Sequence, residues 1–292
     1  SFGVLGVITE VNLRLLPRAE AQALLVLPLE SLAQGGEIAA QILDSYVQPL
    51  VLEALPLRIA AAIAPAVATA GPAPGAGSGG APVLLAGFAG HQAAVDRSVA
   101  EVRHVAEVRA ALGVGDTALL RDDQAEAVLE ALTGYTAATG TGPRQGGASV
   151  AARATVPIRR AWELVETAES LAATTGATVA YRISAARGIV DLWAQASMPS
   201  AAGLAGTTAL PQTTAAEDPN AASGLLMAWL ADVRRAAVAL GGQLAVTAGS
   251  TPLSPGFDAW GDPGPALRLM KGIKERFDSN RILNPGRFVG GI

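Results

Sequence analysis

No cysteine occurs among the 292 residues. That removes disulfides, thiolate nucleophiles, iron–sulfur ligation and Cys-type zinc sites together, so any iron–sulfur cluster has to belong to another chain. There are only two histidines, His91 and His104, 13 residues apart. On one predicted helix that spacing misses the shared i, i+4 face of a helical metal site, and each is read as a structural or surface residue. The only lysines are Lys271 and Lys274, and the formal net charge is −4, from 21 basic against 25 acidic side chains. With no strongly basic block and only 4% aromatic residues, no nucleic-acid partner is expected. No apolar run reaches the ~18–20 residues a membrane-spanning helix needs, because Pro65, Pro72 and Pro74 interrupt the longest alanine-rich stretch. We therefore expect a cytoplasmic protein, with any membrane association arising through partners. Hydrolytic chemistry has no support either: there is no Gly-x-Ser-x-Gly elbow, no Ser-His-Asp set and no paired-carboxylate motif.

What is present is enough apolar material, 50% of the chain, to build the core of one large or two ordinary domains. Periodicity divides it into a repeating pattern. Residues 20–28 read as a strand, Leu32 to Tyr46 as a helix with Ile38, Ile42 and Leu43 on one face, and Val51 to Pro56 as a short strand. Val83 to Phe88 is a strand, His91 to Leu112 a helix with Val95, Val99, Val102, Val105 and Val108 inward, and Asp116 to Leu120 a strand. The second half repeats the plan with strand Ser149 to Val156, helix Ile158 to Thr175, strands Ala177 to Ser184 and Gly188 to Ala196, helix Ala222 to Leu240 and strand Gln243 to Thr247. Each half is the βαββαβ plan of ferredoxin-like domains, which predicts an α+β fold: two such repeats joined into one mostly antiparallel sheet, with helices on one face. Segments 63–82, 136–148 and 199–221, rich in Ala, Gly and Pro, are predicted loops.

The two ends carry the most specific information. The chain opens with Phe2-Gly3-Val4-Leu5-Gly6-Val7-Ile8-Thr9-Glu10 and closes with Phe277-Asp278, then Leu283-Asn284-Pro285-Gly286-Arg287-Phe288-Val289-Gly290-Gly291-Ile292. Glycines at 3 and 6 let backbone turn or pass close to a flat ligand, and the neighbouring Val, Leu and Ile favour strand; on those residues alone a glycine-bearing core strand is the plain reading. Together, the ends resemble the two places where FAD-linked oxidases of the vanillyl-alcohol-oxidase type bring backbone up to the flavin. With Gly241-Gly242-Gln243-Leu244-Ala245-Val246 and Asp258-Ala259-Trp260-Gly261 between them, the resemblance is to the FAD-linked E subunit of glycolate oxidase.

That resemblance implies an FAD-linked enzyme that oxidises a small 2-hydroxy acid, the flavin N5 accepting the hydride, and that assembles with a second flavin subunit and an iron–sulfur subunit. It implies residues 1–18 as the end of an FAD-binding domain, 19–260 as a substrate or cap domain, and 261–292 as a helix and tail returning to the FAD domain. Gly3, Leu5, Gly6, Val7, Ile8, Asn284 and Arg287 are then the cofactor-binding candidates. In such proteins the pyrophosphate site precedes the opening motif, and no Gly-x-Gly-x-x-Gly or Gly-Lys-Ser/Thr loop replaces it here, so this chain by itself is not expected to hold FAD. Related 2-hydroxy-acid dehydrogenases carry a histidine-rich metal motif in this region; this sequence departs from it, and no metal is expected. A non-catalytic assembly scaffold, or an FAD oxidase for a different alcohol, are the alternatives.

No residue is assigned as catalytic. For substrate the candidates are Arg153, which alternates with Ala151 and Thr155 on one strand face, Arg182, and Trp260; a guanidinium offers two parallel donors to a carboxylate. A solvated strand face is the plain reading of the arginines, and a core or interface aromatic that of Trp260. The last helix is predicted to start with Asp262 as cap and Pro263 at the first position. Leu267, Met270, Ile273 and Phe277 form its apolar stripe, with Arg268, Lys271 and Lys274 on a solvated face.

Overall fold

The computed structural model describes residues 2–15, 17–63, 67, 81–108, 117–138, 148–196, 219–250 and 257–292. Its strands are β1 Ala21–Pro28, β2 Val51–Pro56, β3 Pro82–Gly90, β4 Ala118–Arg121, β5 Ser149–Thr155, β6 Ala177–Ser184, β7 Ile189–Ala196 and β8 Gln243–Gly249. They form one sheet in the order β4-β1-β3-β2-β6-β7-β5-β8, antiparallel at every joint. Counted within each half, this is the ferredoxin-like order 4-1-3-2 followed by its reverse, so the expected duplication is the architecture found. The repeats meet edge to edge at β2 and β6, where Glu53 stands opposite Ser184 and Ala54 opposite Ile183. One more backbone bond extends this short seam, Ala185 N–H to the Leu52 carbonyl at 2.8 Å.

The helices are α1 Leu32–Asp44, α2 Leu57–Ile63, α3 Gln92–Val108, α4 Asp122–Ala138, α5 Ala161–Thr175, α6 Pro219–Ala239 and α7 Ala266–Phe277. Helices α1, α3, α5 and α6 form the expected layer. Strand alternation supplies its apolar floor: along β1, Ala23, Leu25 and Leu27 pack with Ile38, Ile42, Val99 and Val102, while Leu24 and Val26 point to the other face. In the second repeat Leu164, Val165, Trp229 and Val233 do the same work, and the Trp229 indole N–H, fully enclosed, donates to the Ala168 carbonyl at 3.0 Å, tying α6 to α5. Ser31 caps α1, its Oγ accepting from Gln34 N–H at 3.1 Å. Mid-helix Gly35 gives up helix propensity to admit the Trp162 ring: a Cβ there would lie 2.5 Å from the ring and 2.7 Å from Leu29.

Several sequence expectations need correction. Helices α2 and α4 were not foreseen; Ala60, Ala125, Val128 and Leu132 from them cover Leu24, Val26, Leu55 and Leu85 on the other face of the first repeat. Val108 is exposed, not inward: at 3.6 residues per turn it falls across the helix from the stripe Val95, Val99, Val102 and Ala106. The predicted loops lie mostly outside the described residues, but 136–138 finish α4 and 219–221 begin α6. The opening Val4 to Ile8 is not a strand; among the described residues it has no β partner. The last helix starts at Ala266, because Gly264 at φ 57° breaks the run and Asp262 instead accepts from Gly264 N–H in a local turn at 2.8 Å.

Candidate functional site

The ends of the chain meet. Asn284 Nδ2 donates to the Phe2 carbonyl at 2.9 Å, and Phe2 packs edge-on against Trp260 with centroids 4.7 Å apart. Phe288 completes the aromatic group at 5.1 Å from Trp260. Beneath it lies a residue that the sequence reading put on a solvated face: Lys274 is buried, and its ammonium donates to the Val4 carbonyl at 2.8 Å, the Leu283 carbonyl at 2.8 Å and the Asp278 carboxylate at 2.5 Å. An ammonium has three donors, and all are used, which is why burial is tolerated. Asp278 in turn accepts from the Ile282 and Leu283 amides at 3.1 and 2.9 Å. Lys274 first, then those amides, hold its carboxyl below the usual carboxylate range against the opposing effect of burial. The signal was legible as an i, i+4 Lys–Asp pair.

This clip sets the opening motif. Gly3, at φ 71°, must be glycine on two counts, since a Cβ would also sit 2.8 Å from Asn284 Nδ2. A Cβ added at Gly6 would meet no described atom within 4 Å beyond its own chain neighbours, and Val7 and Ile8 are 77% and 81% exposed, so this stretch is open to a planar group. Leu5 is half-buried, and Arg287 is exposed with no side-chain bond among the described residues. On α7, Leu269 and Phe277 of the uncovered side are each 69% exposed.

Trp260 is held from behind. Arg234 on α6 donates to the carbonyls of Asp258 at 2.6 Å and Ala259 at 3.2 Å and lies 4.5 Å over the Phe257 ring; burial lowers its pKa, partly offset by Asp258. The Ala259 carbonyl also accepts from Val246 of β8 at 2.7 Å. Val246 is the register partner of Ala152, next to Arg153, so the Trp260 loop hangs from the strand beside the second cluster of interest.

That cluster crosses the second repeat on the face opposite the helix layer. Arg153 and Arg182 are both register partners of Asp191, giving an Arg–Asp–Arg row over β5, β7 and β6. Arg153 Nε and Nη2 donate to the two Asp191 oxygens at 2.7 and 3.0 Å, a side-on fork. That pairing raises the Arg153 pKa, outweighing partial burial. Among the described residues the outer Nη1 edge of Arg153 takes no hydrogen-bond partner, and the side chain is 46% exposed. Arg182 is placed differently: it is buried, with Nε on Glu53 at 2.8 Å and Nη1 on the Leu132 carbonyl at 2.9 Å. Glu53, only 2% exposed, also accepts from Ser184 Oγ at 2.9 Å and from Arg187 at 3.3 Å. Of the three substrate candidates, Arg153 presents donors outward, Arg182 serves the seam between repeats, and Trp260 buttresses the chain ends. Asp191 and Glu53 were missed, because cross-strand partners are set by register, which single strands do not announce.

Other features do not converge on these clusters. His91 pairs with Glu20 at 2.9 Å at the surface and His104 is exposed elsewhere on α3; among the described residues no group of three metal-ligating side chains forms, and no helix is long and apolar enough to cross a membrane. A cavity of about 460 Å³ between α1 and α5 is lined by Glu37, Asp44, Glu163 and Glu166 against Arg159, an environment that repels anions.

A family model described as FAD linked oxidases, C-terminal domain, matches residues 18–288. Among solved structures the chain is similar to an alkyldihydroxyacetonephosphate synthase, at 14% identity and a TM-score of 0.60, with 98% of this chain and 48% of that one covered. It is similar to 4-ethylphenol oxidase from Gulosibacter chungangensis in an isoeugenol complex, at 14% identity and a TM-score of 0.56, covering 94% and 54%. A third is p-cresol methylhydroxylase with substrate bound, at 16% identity and a TM-score of 0.50, covering 93% and 53%. At these identities the likeness is one of fold, and the chain spans about half the length of the structures it matches. No curated protein sequence matches it.

Proposed function

The chain belongs to the FAD-linked oxidase C-terminal domain family, and from that premise we propose that it is the substrate-facing part of an FAD-dependent oxidoreductase that oxidises a small 2-hydroxy acid, in the manner of a glycolate oxidase subunit. The family implies FAD as the cofactor of the whole protein. The residues present fit a planar group: the Gly3 turn, the open backbone at Gly6 and the exposed Val7 and Ile8 would face it with Leu5, and Arg287 would add a cation. Asn284, with its amide spent on Phe2, would position that strip.

The observation that carries the substrate class is the outward edge of Arg153. Asp191 takes the inner edge and fixes the guanidinium plane, leaving a second pair of parallel N–H donors for a carboxylate, the geometry in which arginine binds one best. Bound FAD supplies the two-electron acceptor for oxidation of the alcohol carbon to a carbonyl. The chain's own part is orientation: Arg153 holds the acid by its carboxylate, and the strand holds Arg153. With no cysteine in the chain, the proposed onward path runs through partners, a second flavin subunit and an iron–sulfur subunit.

The test uses the full-length protein with glycolate and lactate and an artificial electron acceptor. Arg153→Met is expected to raise KM for each acid far more than it lowers kcat, because the contact is made in ground and transition states alike. Oxidation of 4-alkylphenols with no turnover of any 2-hydroxy acid, or unchanged kinetics in Arg153→Met, would overturn the reading.

A further inference from the structure

Resting on the reading of the opening motif as the flavin-facing strip, we propose that Arg234 is a positioning residue for the cofactor, acting through Trp260. Arg234 projects from α6 and spends Nη1 on the Asp258 carbonyl at 2.6 Å and Nη2 on the Ala259 carbonyl at 3.2 Å. Its guanidinium lies 4.5 Å over the Phe257 ring. Donors of one rigid plane thus meet two consecutive carbonyls, which fixes the direction in which the chain enters residue 260. Neighbouring bonds close the frame: Val246 N–H of β8 also donates to the Ala259 carbonyl at 2.7 Å, and Trp260 N–H donates to Asp258 Oδ1 at 2.9 Å.

Burial alone does not explain the residue. Both hydrogen-bond partners are neutral carbonyls, and Nε is buried with no hydrogen-bond partner among the described residues. Desolvation lowers the pKa of the group, and Asp258 offsets only part of that. An apolar side chain of similar length would fill the space without desolvating a charge. What arginine adds is orientation.

That orientation reaches the strip in two steps. Trp260 stands edge-on to Phe2 at 4.7 Å and to Phe288 at 5.1 Å. Phe2 needs such support, because its ring is 64% exposed and its backbone, at φ 48°, is left-handed in a bulky residue. Gly3 follows at φ 71°, so two successive left-handed residues turn the chain toward Gly6, Val7 and Ile8. A turn of this kind persists only where the surroundings over-determine it. Asn284 holds the Phe2 carbonyl, and Trp260 holds the ring. Without Arg234 the indole loses its fixed base, and Phe2 loses its support in turn. Because Ala259 hangs from β8, which pairs with the strand carrying Arg153, the same frame ties the strip to the outward guanidinium.

The experiment uses the full-length protein, with FAD bound and after its removal, and compares the wild type with Arg234→Met and Arg234→Lys. Methionine has no donors; lysine keeps the charge but has no planar fork. In the FAD-free Arg234→Met protein, hydrogen exchange at the Val246 and Trp260 amides is expected to accelerate, since both bonds belong to the frame. FAD affinity is expected to fall about tenfold, and the visible circular dichroism of the flavin that still binds is expected to change. Arg234→Lys is expected to fall between the two, and it decides alone if Arg234→Met does not fold. Unchanged FAD affinity and visible circular dichroism in the folded variant would overturn the positioning role, even with a lowered unfolding temperature, which a merely structural residue would also give. Full flavin occupancy in Gly6→Val sinks the flavin-facing strip beneath the proposal instead. No acid takes part in these measurements, so a failure of 2-hydroxy acids as substrates leaves the role of Arg234 standing.

Discussion

Asn284 reaches across 282 positions of sequence to donate its side-chain amide to the carbonyl of Phe2 at 2.9 Å. Next to it Lys274 grips Val4 and Leu283. The opening and closing motifs are thus one structural object, and its strength can be tested piece by piece.

Lys274→Met should release the clip. The change leaves Asp278 enclosed without its cation and frees the carbonyls of Val4 and Leu283, so hydrogen exchange at the Ile282 and Leu283 amides should accelerate while the sheet stays protected. Unchanged exchange at those amides would show that the backbone bonds suffice without the lysine.

Acid should act on the same place. Because the folded-state pKa of Asp278 is lowered, its contribution is complete above the unfolded carboxyl's value of about 3.9 and is lost as pH falls further, through the folded value. Exchange or NMR monitored between neutral pH and about pH 3 should find the tail loosening only in the acid part of that range. In Asp278→Asn that acid transition of the tail should be gone.

Gly6→Val separates cofactor contact from folding. With no atom within 4 Å of the new Cβ, this chain should keep its stability to within about 0.5 kcal/mol. In the full-length protein the same change should reduce FAD retention, measured as the flavin-to-protein absorbance ratio, and by more than Asn284→Ala, which removes a hydrogen bond worth about 1 kcal/mol. Full flavin occupancy in Gly6→Val would place the cofactor elsewhere.

Gly35→Ala sets two effects against each other. Helix propensity favours the change by about 1 kcal/mol, while the Cβ would stand 2.5 Å from the Trp162 ring. Overpacking of this kind costs about 1–3 kcal/mol, so net destabilisation in urea unfolding is expected. A gain would mean that the Trp162 ring can retreat.

Glu53→Ala addresses the seam. It strips a buried carboxylate from Arg182 and Ser184, a loss of about 3 kcal/mol or more, at a joint with only two register pairs. Unfolding should lose cooperativity, the repeats melting in separate steps.

The fold was largely legible because its elements bury one face each. Strands such as Val51 to Pro56 and helices such as Leu32 to Asp44 write their periods into the sequence, and repetition of the order gave the duplication. Helices α2 and α4 escaped because their alanine-rich stretches, such as Leu57–Ile63, carry little periodic contrast. The opening motif misled for another reason: Val7 and Ile8 have strand propensity, but among the described residues no strand lies alongside to pair with them. Of the site, Arg153 could be named from strand alternation, whereas Asp191, 38 residues away, and Glu53, 129 residues from Arg182, depend on which strands lie side by side. Lys274 looked like one more surface cation until the carbonyl of Val4, 270 residues earlier, arrived to meet it.

The charged row begins on β2 with Glu53 and ends on β5 with Arg153, and the Glu53 carboxylate adds to what keeps Arg153 charged. One copy of the repeat supplies the anion that anchors the row, and the other supplies the guanidinium that faces outward. Neither repeat by itself holds both ends of that electrostatic arrangement: the property belongs to the joined sheet, across the short edge where β2 meets β6.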